Sequence, residues 1–304
     1  MRKTILKSIA SLVKIRVVLL STLSAVTGFV VAAREITPVL AVFALGLFVL
    51  ASGSAALNQY QERKQDGLMD RTRKRPLPSG RLTPKIGLSV SSVSILFGIS
   101  VIFFFFGEVP ALLALLTVIF YNGIYTYLKR ITAFAAVPGA LVGALPPAIG
   151  WTAAGGAIAS PTLAGLVFFF YIWQIPHFWL LLGIHSGDYA KAGFPSLNEI
   201  FTSRQLGRIT FTWVAATACA GLLFPLFGIF RHGISLVLLA VMVFWLGIRS
   251  LPLVACIKKE PTEHTENTER VLGSVPVFHR VFININTFAL IIMVILIIDH
   301  GVLL

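Results

Sequence analysis

Residues 39–78 read VLAVFALGLFVLASGSAALNQYQERKQDGLMDRTRKRPLP, an apolar run of about 20 residues that passes directly into a strongly charged one. The apolar part is long enough to cross a bilayer as a helix. Asn58, Glu62, Asp66 and Asp70 then recur at every fourth position. On a helix each such step advances about 40° beyond a full turn, so Asn58, Glu62 and Asp66 share one face. Gly67 and the run Pro76-Leu77-Pro78-Ser79-Gly80 predict that the helix ends soon after Asp70. A membrane helix therefore emerges carrying a row of oxygen-bearing side chains.

The remainder of the chain agrees with a membrane setting. Of its 304 residues 57% are hydrophobic and 12% charged, and the mean hydropathy is +0.88. A soluble domain carries roughly 25% charged residues, which excludes a water-soluble globule. Apolar runs place membrane spans at about 17–33, 37–58, 86–106, 110–128, 134–152, 162–184, 209–230, 233–256 and 278–298. The expectation is an all-α polytopic membrane protein, nine transmembrane helices in one bundle, forming a single integral-membrane domain over residues 1–304. The N-terminal run has the layout of a signal peptide, but many equally apolar runs follow, and Lys14 and Arg16 make a cytoplasmic anchor. Cys219 and Cys256 both fall in apolar runs and read as small buried hydrophobes, with neither disulfide nor zinc spacing.

The net charge of +13 comes from 25 Lys/Arg against 12 Asp/Glu. In a soluble protein this excess would point to nucleic acid; in a membrane protein it is a topology signal, and no nucleic-acid partner is expected. With a cytoplasmic N-terminus, 23 of the 25 cations lie on the cytoplasmic side, and Arg34 and Arg231 alone lie outside. That asymmetry predicts an odd number of spans and an external C-terminus in a bacterial or archaeal cytoplasmic membrane. Four acids fall in the Glu260–Glu269 stretch, which reads as a solvated loop. Glu35, Glu108 and Asp299 fall outside near helix ends, with no expected partners. The other five, Glu62, Asp66, Asp70, Asp188 and Glu199, are all cytoplasmic, in the loops after the second and sixth spans.

A row of Asn and carboxylate oxygens suits Mg²⁺, which takes one or two carboxylates and completes its shell with water and substrate phosphate. The arginines and lysines that follow suit the anionic end of a phosphorylated substrate. A second cytoplasmic element contains Trp173-Gln174-Ile175-Pro176-His177-Phe178-Trp179 and then His185 and Asp188. Gln174 and His177 lie deep in the sixth span, where polar groups face a cavity or a neighbouring helix, and Pro176 should kink that helix. His177 alone reads equally well as a histidine tied to an adjacent helix. A third element, Tyr121-Asn122 through Tyr125 to Lys129-Arg130, supplies cations at the same face, although this pair also marks the cytoplasmic side by itself. Together the three predict a Mg²⁺-diphosphate site at the cytoplasmic rim, suited to a polyprenyl diphosphate whose tail lies among the helices. A transporter would call for paired inverted halves and ionisable groups near the midplane, and the sequence offers neither.

The chain resembles the UbiA-type intramembrane prenyltransferases, and within them the branch that farnesylates haem. The resemblance rests on Lys14-Ile15-Arg16, on Asn58, Asp66, Asp70-Arg71-Thr72 and Arg75-Pro76-Leu77, and on Leu128-Lys129-Arg130-Ile131-Thr132. It continues through Pro146-Pro147-Ala148-Ile149-Gly150-Trp151, the Trp173–Trp179 stretch, and Asp188-Tyr189. It implies a bundle around a lipid-accessible cavity, capped on the cytoplasmic side. It also implies catalytic roles for Glu62, Asp66 and Asp188, and Mg²⁺ held by Asn58, Glu62, Asp66, Asp70 and Asp188. Diphosphate contacts would come from Asn58, Arg71, Tyr125, Lys129 and Arg130, and haem contacts from Gln174, His177 and His185. The reaction implied joins the prenyl group of farnesyl diphosphate to a vinyl of haem B, with water quenching the resulting cation. Haem B is there a substrate, and the product would pass to a haem A synthase or a terminal oxidase assembly. An aromatic ring or a chlorophyll-type macrocycle is the alternative acceptor. The sequence departs from the family pattern at Glu62, where aspartate is usual. It departs again around Asp188, where Ile184 and Ala192 stand four positions away instead of a second carboxylate.

Overall fold

The structure, a computed structural model, describes residues 2–255 and 267–302, and these form helices without a strand. A short α1 (Arg2–Leu12) precedes three long helices, α2 (Ile15–Ala33), α3 (Val39–Leu68) and α4 (Pro84–Phe106). α5 (Glu108–Val118) continues through a π-helical stretch, Ile119–Tyr125, into α6 (Thr126–Leu128). Then come α7 (Ala136–Ala153), α8 (Pro161–Ile184), the short α9 (Ser186–Lys191) and α10 (Leu197–Ile200), and α11 (Ser203–Leu222). α12 (Gly233–Ser250), α13 (Pro252–Ala255) and α14 (Asn267–Gly301) complete the chain. Eight stretches among the described residues are long and apolar enough to cross a membrane. α11 is the ninth long helix, and Arg204 and Arg208 in its first turns lower its hydropathy.

The all-α bundle expected from the apolar runs is present, with local differences. The seventh run was expected at about 209–230, but α11 starts at Ser203 and stops at Leu222. Beyond it, Phe224–Phe227 makes a 3-10 turn containing Pro225, and Gly228 takes a positive φ of 62°. A proline that donates no N–H and a left-handed glycine cannot continue an α-helix. α8 runs unbroken through Pro176. Glu269 lies in α14, so that end of the acidic stretch is helix rather than loop; residues 256–266, with Cys256 and the remainder of that stretch, lie outside the described residues. Cys219 is exposed on α11 rather than buried, because the helix turns that position away from its neighbours.

Outward-facing residues are apolar: Phe104 is 79% exposed, Phe244 71% and Leu226 81%. In water such a belt would drive association; against hydrocarbon it costs nothing. Helices in lipid gain little from burying more apolar surface, so they associate where small residues let backbones close up. A Cβ on Gly150 would stand 1.8 Å from the Ala25 carbonyl oxygen, and one on Gly28 2.0 Å from that of Pro147, so α2 and α7 touch backbone to backbone. Aromatic clusters fill the wider spaces, Phe29, Phe43 and Phe106 on one side and Phe169, Phe224 and Phe288 on the other.

Asp299 is not the partnerless acid that the sequence implied. It is fully buried and accepts hydrogen bonds from Arg231 N (2.7 Å), His232 N (3.2 Å) and Ser235 Oγ (2.5 Å), closing the start of α12 onto α14. Those partners lie 64 to 68 residues away in sequence, so no local pattern announces them.

Candidate active site

The predicted face of α3 is buried: Asn58 is 2% exposed, Glu62 5% and Asp66 3%. Each member meets a cation from a different part of the chain. Lys14 Nζ donates to Asn58 Oδ1 (2.8 Å), Lys129 forms an ion pair with Glu62, and one Arg75 nitrogen, Nη1, bridges both oxygens of Asp66 (2.9 and 2.8 Å). Three cations thus surround two carboxylates and an amide. With all three protonated the cluster carries one net positive charge, the sign that an anionic group would call for.

Local structure brings each cation there. Lys14 joins α1 to α2 with a left-handed backbone, φ 53° and ψ 51°, a conformation that costs a non-glycine residue about 1–2 kcal/mol. Gln59 Nε2 donates to the carbonyls of Ser11 and Leu12 (both 2.8 Å), clamping that joint onto α3 one residue after Asn58. Burial, with Arg75 adding to it, lowers the Lys14 ammonium to about 7. Arg75 returns because the chain turns sharply after α3, with Thr72 Oγ1 donating to the Asp66 carbonyl (2.9 Å). Lys129 is placed by the π-helical stretch, a feature that frequently marks functional positions. There Asn122 Nδ2 donates to the Ser54 carbonyl (3.0 Å) and to Gln61 Oε1 (3.2 Å), and Gln61 Nε2 donates to the Asn122 carbonyl (3.0 Å). Thr126 Oγ1 accepts from Asn58 Nδ2 (3.1 Å), so the Asn58 amide is held from both ends.

The segment after α8 covers this end of the bundle. The Asp188 carboxylate accepts from the backbone N–H groups of Asp70 (3.1 Å) and Arg71 (3.2 Å), and Lys191 forms an ion pair with Asp70. Phe194 and Tyr125 both stand 5.6 Å from Lys129 Nζ, one on the cap and one on the bundle. Of the candidate residues, Asn58, Glu62, Asp66, Lys129 and Tyr125 are therefore brought together. Asp188 sits instead against the Asp70–Arg71 backbone, which engages both its oxygens. Asp70 has a half-exposed carboxylate, held below its usual range by hydrogen bonding to Lys191. Arg71 is exposed, Arg130 Nη2 donates instead to the Gln61 carbonyl (3.0 Å), and Glu199 is exposed on α10. His185 sits beside Arg71 and Asp188, where burial lowers its pKa and Arg71 lowers it further.

Deeper in the bundle, His177 Nδ1 is 2.8 Å from Asn286 Oδ1 on α14, so the tie to an adjacent helix is present. Gln174 packs against α7, where a Cβ on Gly143 would come within 2.3 Å of Gln174 Oε1. Tyr125 stacks on Phe178 (5.3 Å), which in turn meets the His177 ring (5.7 Å). Lys14 and Arg75 are the site residues that sequence reasoning passed over. By sequence alone Lys14 reads as a membrane anchor, and Arg75 as one of several arginines in a basic loop.

A polytopic helical bundle with a buried, cation-ringed acidic row at one capped end belongs to the class of intramembrane proteins with an ionic site at the membrane rim. The model of the UbiA prenyltransferase family matches residues 19–259, and the chain belongs to that family of prenyl-transferring enzymes. It is 41% identical over 218 residues to the protohaem IX farnesyltransferase of Geobacter sulfurreducens, covering 70% of this chain and 79% of that protein. It is 37% identical over 222 residues to the protein of the same name from Oleidesulfovibrio alaskensis, covering 73% and 78%. Among solved structures, its fold is similar to one described for digeranylgeranylglyceryl phosphate synthase, with a TM-score of 0.71, 16% identity and full coverage of both chains. A UbiA homologue from Archaeoglobus fulgidus, solved with DMAPP and Mg²⁺, aligns with a TM-score of 0.61 at 16% identity, covering 92% of this chain and 99% of that one. At these identities the structural likeness is one of fold.

Proposed function

We propose that this chain is a protohaem IX farnesyltransferase, which moves the farnesyl group of farnesyl diphosphate onto a vinyl of haem B. The observation that carries the diphosphate half is the buried row of Asn58, Glu62 and Asp66 with Lys14, Arg75 and Lys129 set against it. The names of its relatives support the acceptor. A Mg²⁺ ion fits this donor set. Asn58, Glu62 and Asp66 offer one amide and two carboxylate oxygens on a single helix face, and the ion usually takes few protein ligands alongside substrate phosphate. Asp70 and Asp188 serve in this reading to fasten the cap, since one is half-exposed and the other is engaged by backbone N–H groups. When bound, the ion would neutralise charge on the departing diphosphate.

The chain's own groups do the rest. Lys14, Arg75 and Lys129 move from their carboxylate and amide partners to diphosphate oxygens, giving charge-assisted hydrogen bonds that strengthen as negative charge grows on the leaving group. The C1–O bond of the farnesyl group breaks, and its electron pair leaves with the diphosphate. The π electrons of the vinyl form the new C–C bond, and water adds to the cation left on the other vinyl carbon, releasing a proton. Tyr125 and Phe178 flank the path, and Gln174 and His177 contribute to the macrocycle pocket. The cap excludes bulk water until the bond has formed. We place the N-terminus and this site on the cytoplasmic side, with the C-terminus outside, and treat residues 1–304 as one catalytic unit whose product feeds terminal-oxidase haem assembly.

The test is expression in membranes that contain haem B, followed by haem extraction and mass spectrometry. A hydroxyethylfarnesyl haem that disappears with Asp66→Ala is expected. Unchanged haem B beside well-expressed wild-type protein would overturn the assignment, and prenylation of another ring would identify a different acceptor.

A further inference from the structure

The last turn of a helix leaves carbonyls without a partner in the helix, and a glycine in the left-handed region often closes such an end. α1 ends differently. Its left-handed position is taken by Lys14, and the carbonyls of Ser11 and Leu12 are met from α3 by a single side-chain amide, Gln59 Nε2, at 2.8 Å each. An amide nitrogen has two N–H donors, and both are used here. Turning the amide over would set its oxygen against two acceptors, so the orientation is fixed. Gln59 is fully buried, and its Oε1 has no hydrogen-bond partner among the described residues. An orphaned buried acceptor is destabilising, so a residue selected for packing alone would be apolar at this place. Gln59 also stands about 100° around α3 from Asn58, off the acidic row that its neighbour begins.

Leu12 completes the anchorage. It is fully buried in a small apolar cluster with Ala56, Leu77 and Leu82. Ala56 belongs to α3, whereas Leu77 and Leu82 belong to the turn that follows Arg75. That turn is closed by Ser79 N donating to the Arg75 carbonyl (3.1 Å) and Leu82 N donating to the Pro76 carbonyl (3.0 Å). One cluster thus ties the segment that carries Lys14 to the segment that carries Arg75, and both cations reach the same row, at Asn58 and Asp66. We propose that Gln59 and Leu12 are positioning residues: Gln59 acts through Lys14, Leu12 acts through Lys14 and Arg75, and the end of α1 presents these two cations to the diphosphate as one unit. This rests on the diphosphate reading above. Neither residue touches the substrate, and the acidic row keeps its place on α3 without them.

The experiment titrates purified full-length protein in nanodiscs with farnesyl diphosphate and Mg²⁺ by calorimetry, and follows turnover with haem B as acceptor. Gln59→Met keeps the length of the side chain and removes its donors. It should weaken farnesyl diphosphate binding about tenfold, the loss of one charge-assisted bond. The KM for farnesyl diphosphate should rise while that for haem B is unchanged. In a Lys14→Met background the same change should have little further effect, because the group it positions is gone. Leu12→Ala should still weaken binding in that background, through Arg75. Gln59→Asn, one methylene short, should show the same dependence on Lys14 in smaller measure, and it serves where Gln59→Met does not fold. A residue that only held the fold would lower the number of binding sites per protein and leave both KM values unmoved. That result, wild-type affinity in Gln59→Met, or a loss that adds in full to that of Lys14→Met would overturn the inference and leave the proposed function standing. A Leu12→Ala change without effect once Lys14 is replaced would overturn the link to Arg75. Failure of wild type to bind farnesyl diphosphate would overturn the diphosphate reading itself.

Discussion

Lys14 shows how a single backbone conformation can reveal purpose. A lysine with φ 53° is strained unless its surroundings insist on it, and here Gln59 clamps the joint while Nζ reaches Asn58. Lys14→Gly should relieve the strain, since glycine adopts this region freely, leaving the melting temperature within a few degrees of wild type. The same variant should weaken prenyl diphosphate binding about tenfold or more, the loss expected for one charge-assisted bond. Calorimetry on the apo protein and a diphosphate titration check the split; a melt that falls together with affinity would make Lys14 a structural residue only. Sequence periodicity placed Asn58, Glu62 and Asp66 on one face because helical spacing is a local property. It could not pair Glu62 with Lys129 or Asp66 with Arg75, because a basic loop contains many equivalent cations and tertiary packing selects among them.

Among the elements, the close crossing of α2 and α7 is the most sensitive to volume. Gly150→Val would force a branched side chain into space occupied by the Ala25 backbone. It should cost at least the usual 1–3 kcal/mol of overpacking, read as a lower melting temperature in detergent; a neutral result would mean the helices can slide apart. The cap makes a different prediction. Asp188→Asn removes the charge from two hydrogen bonds to the Asp70 and Arg71 backbone, so amide exchange across residues 69–72 should accelerate at least several-fold while the bundle helices stay protected. The exposed Lys191–Asp70 pair adds little, but its sign is defined. The Asp70 carboxyl is held below its usual value, so its contribution is present above that usual value, about 3.9, and disappears as pH falls through the lowered one. Exchange in the cap should therefore rise at strongly acid pH and in high salt.

For the whole molecule, the belt of Phe104, Phe244 and Leu226 fits hydrocarbon, and the cationic site residues gather at one end of the bundle. Reporter fusions should find residues near 80 and 130 in the cytoplasm and residues near 157 and 231 outside; the reverse pattern would overturn the orientation read from the 23 cations on one side. Membrane embedding, the number of long helices and the acidic face of α3 were legible in the linear chain. Hydropathy and helical period are sums over neighbouring residues, and the sequence carries them without reference to distant partners. The end of α11, the burial of Asp299 and the pairing of His177 with Asn286, 109 residues away, were not legible. Those features depend on which helices touch and at what height, and close backbone packing settles that only once the bundle has assembled.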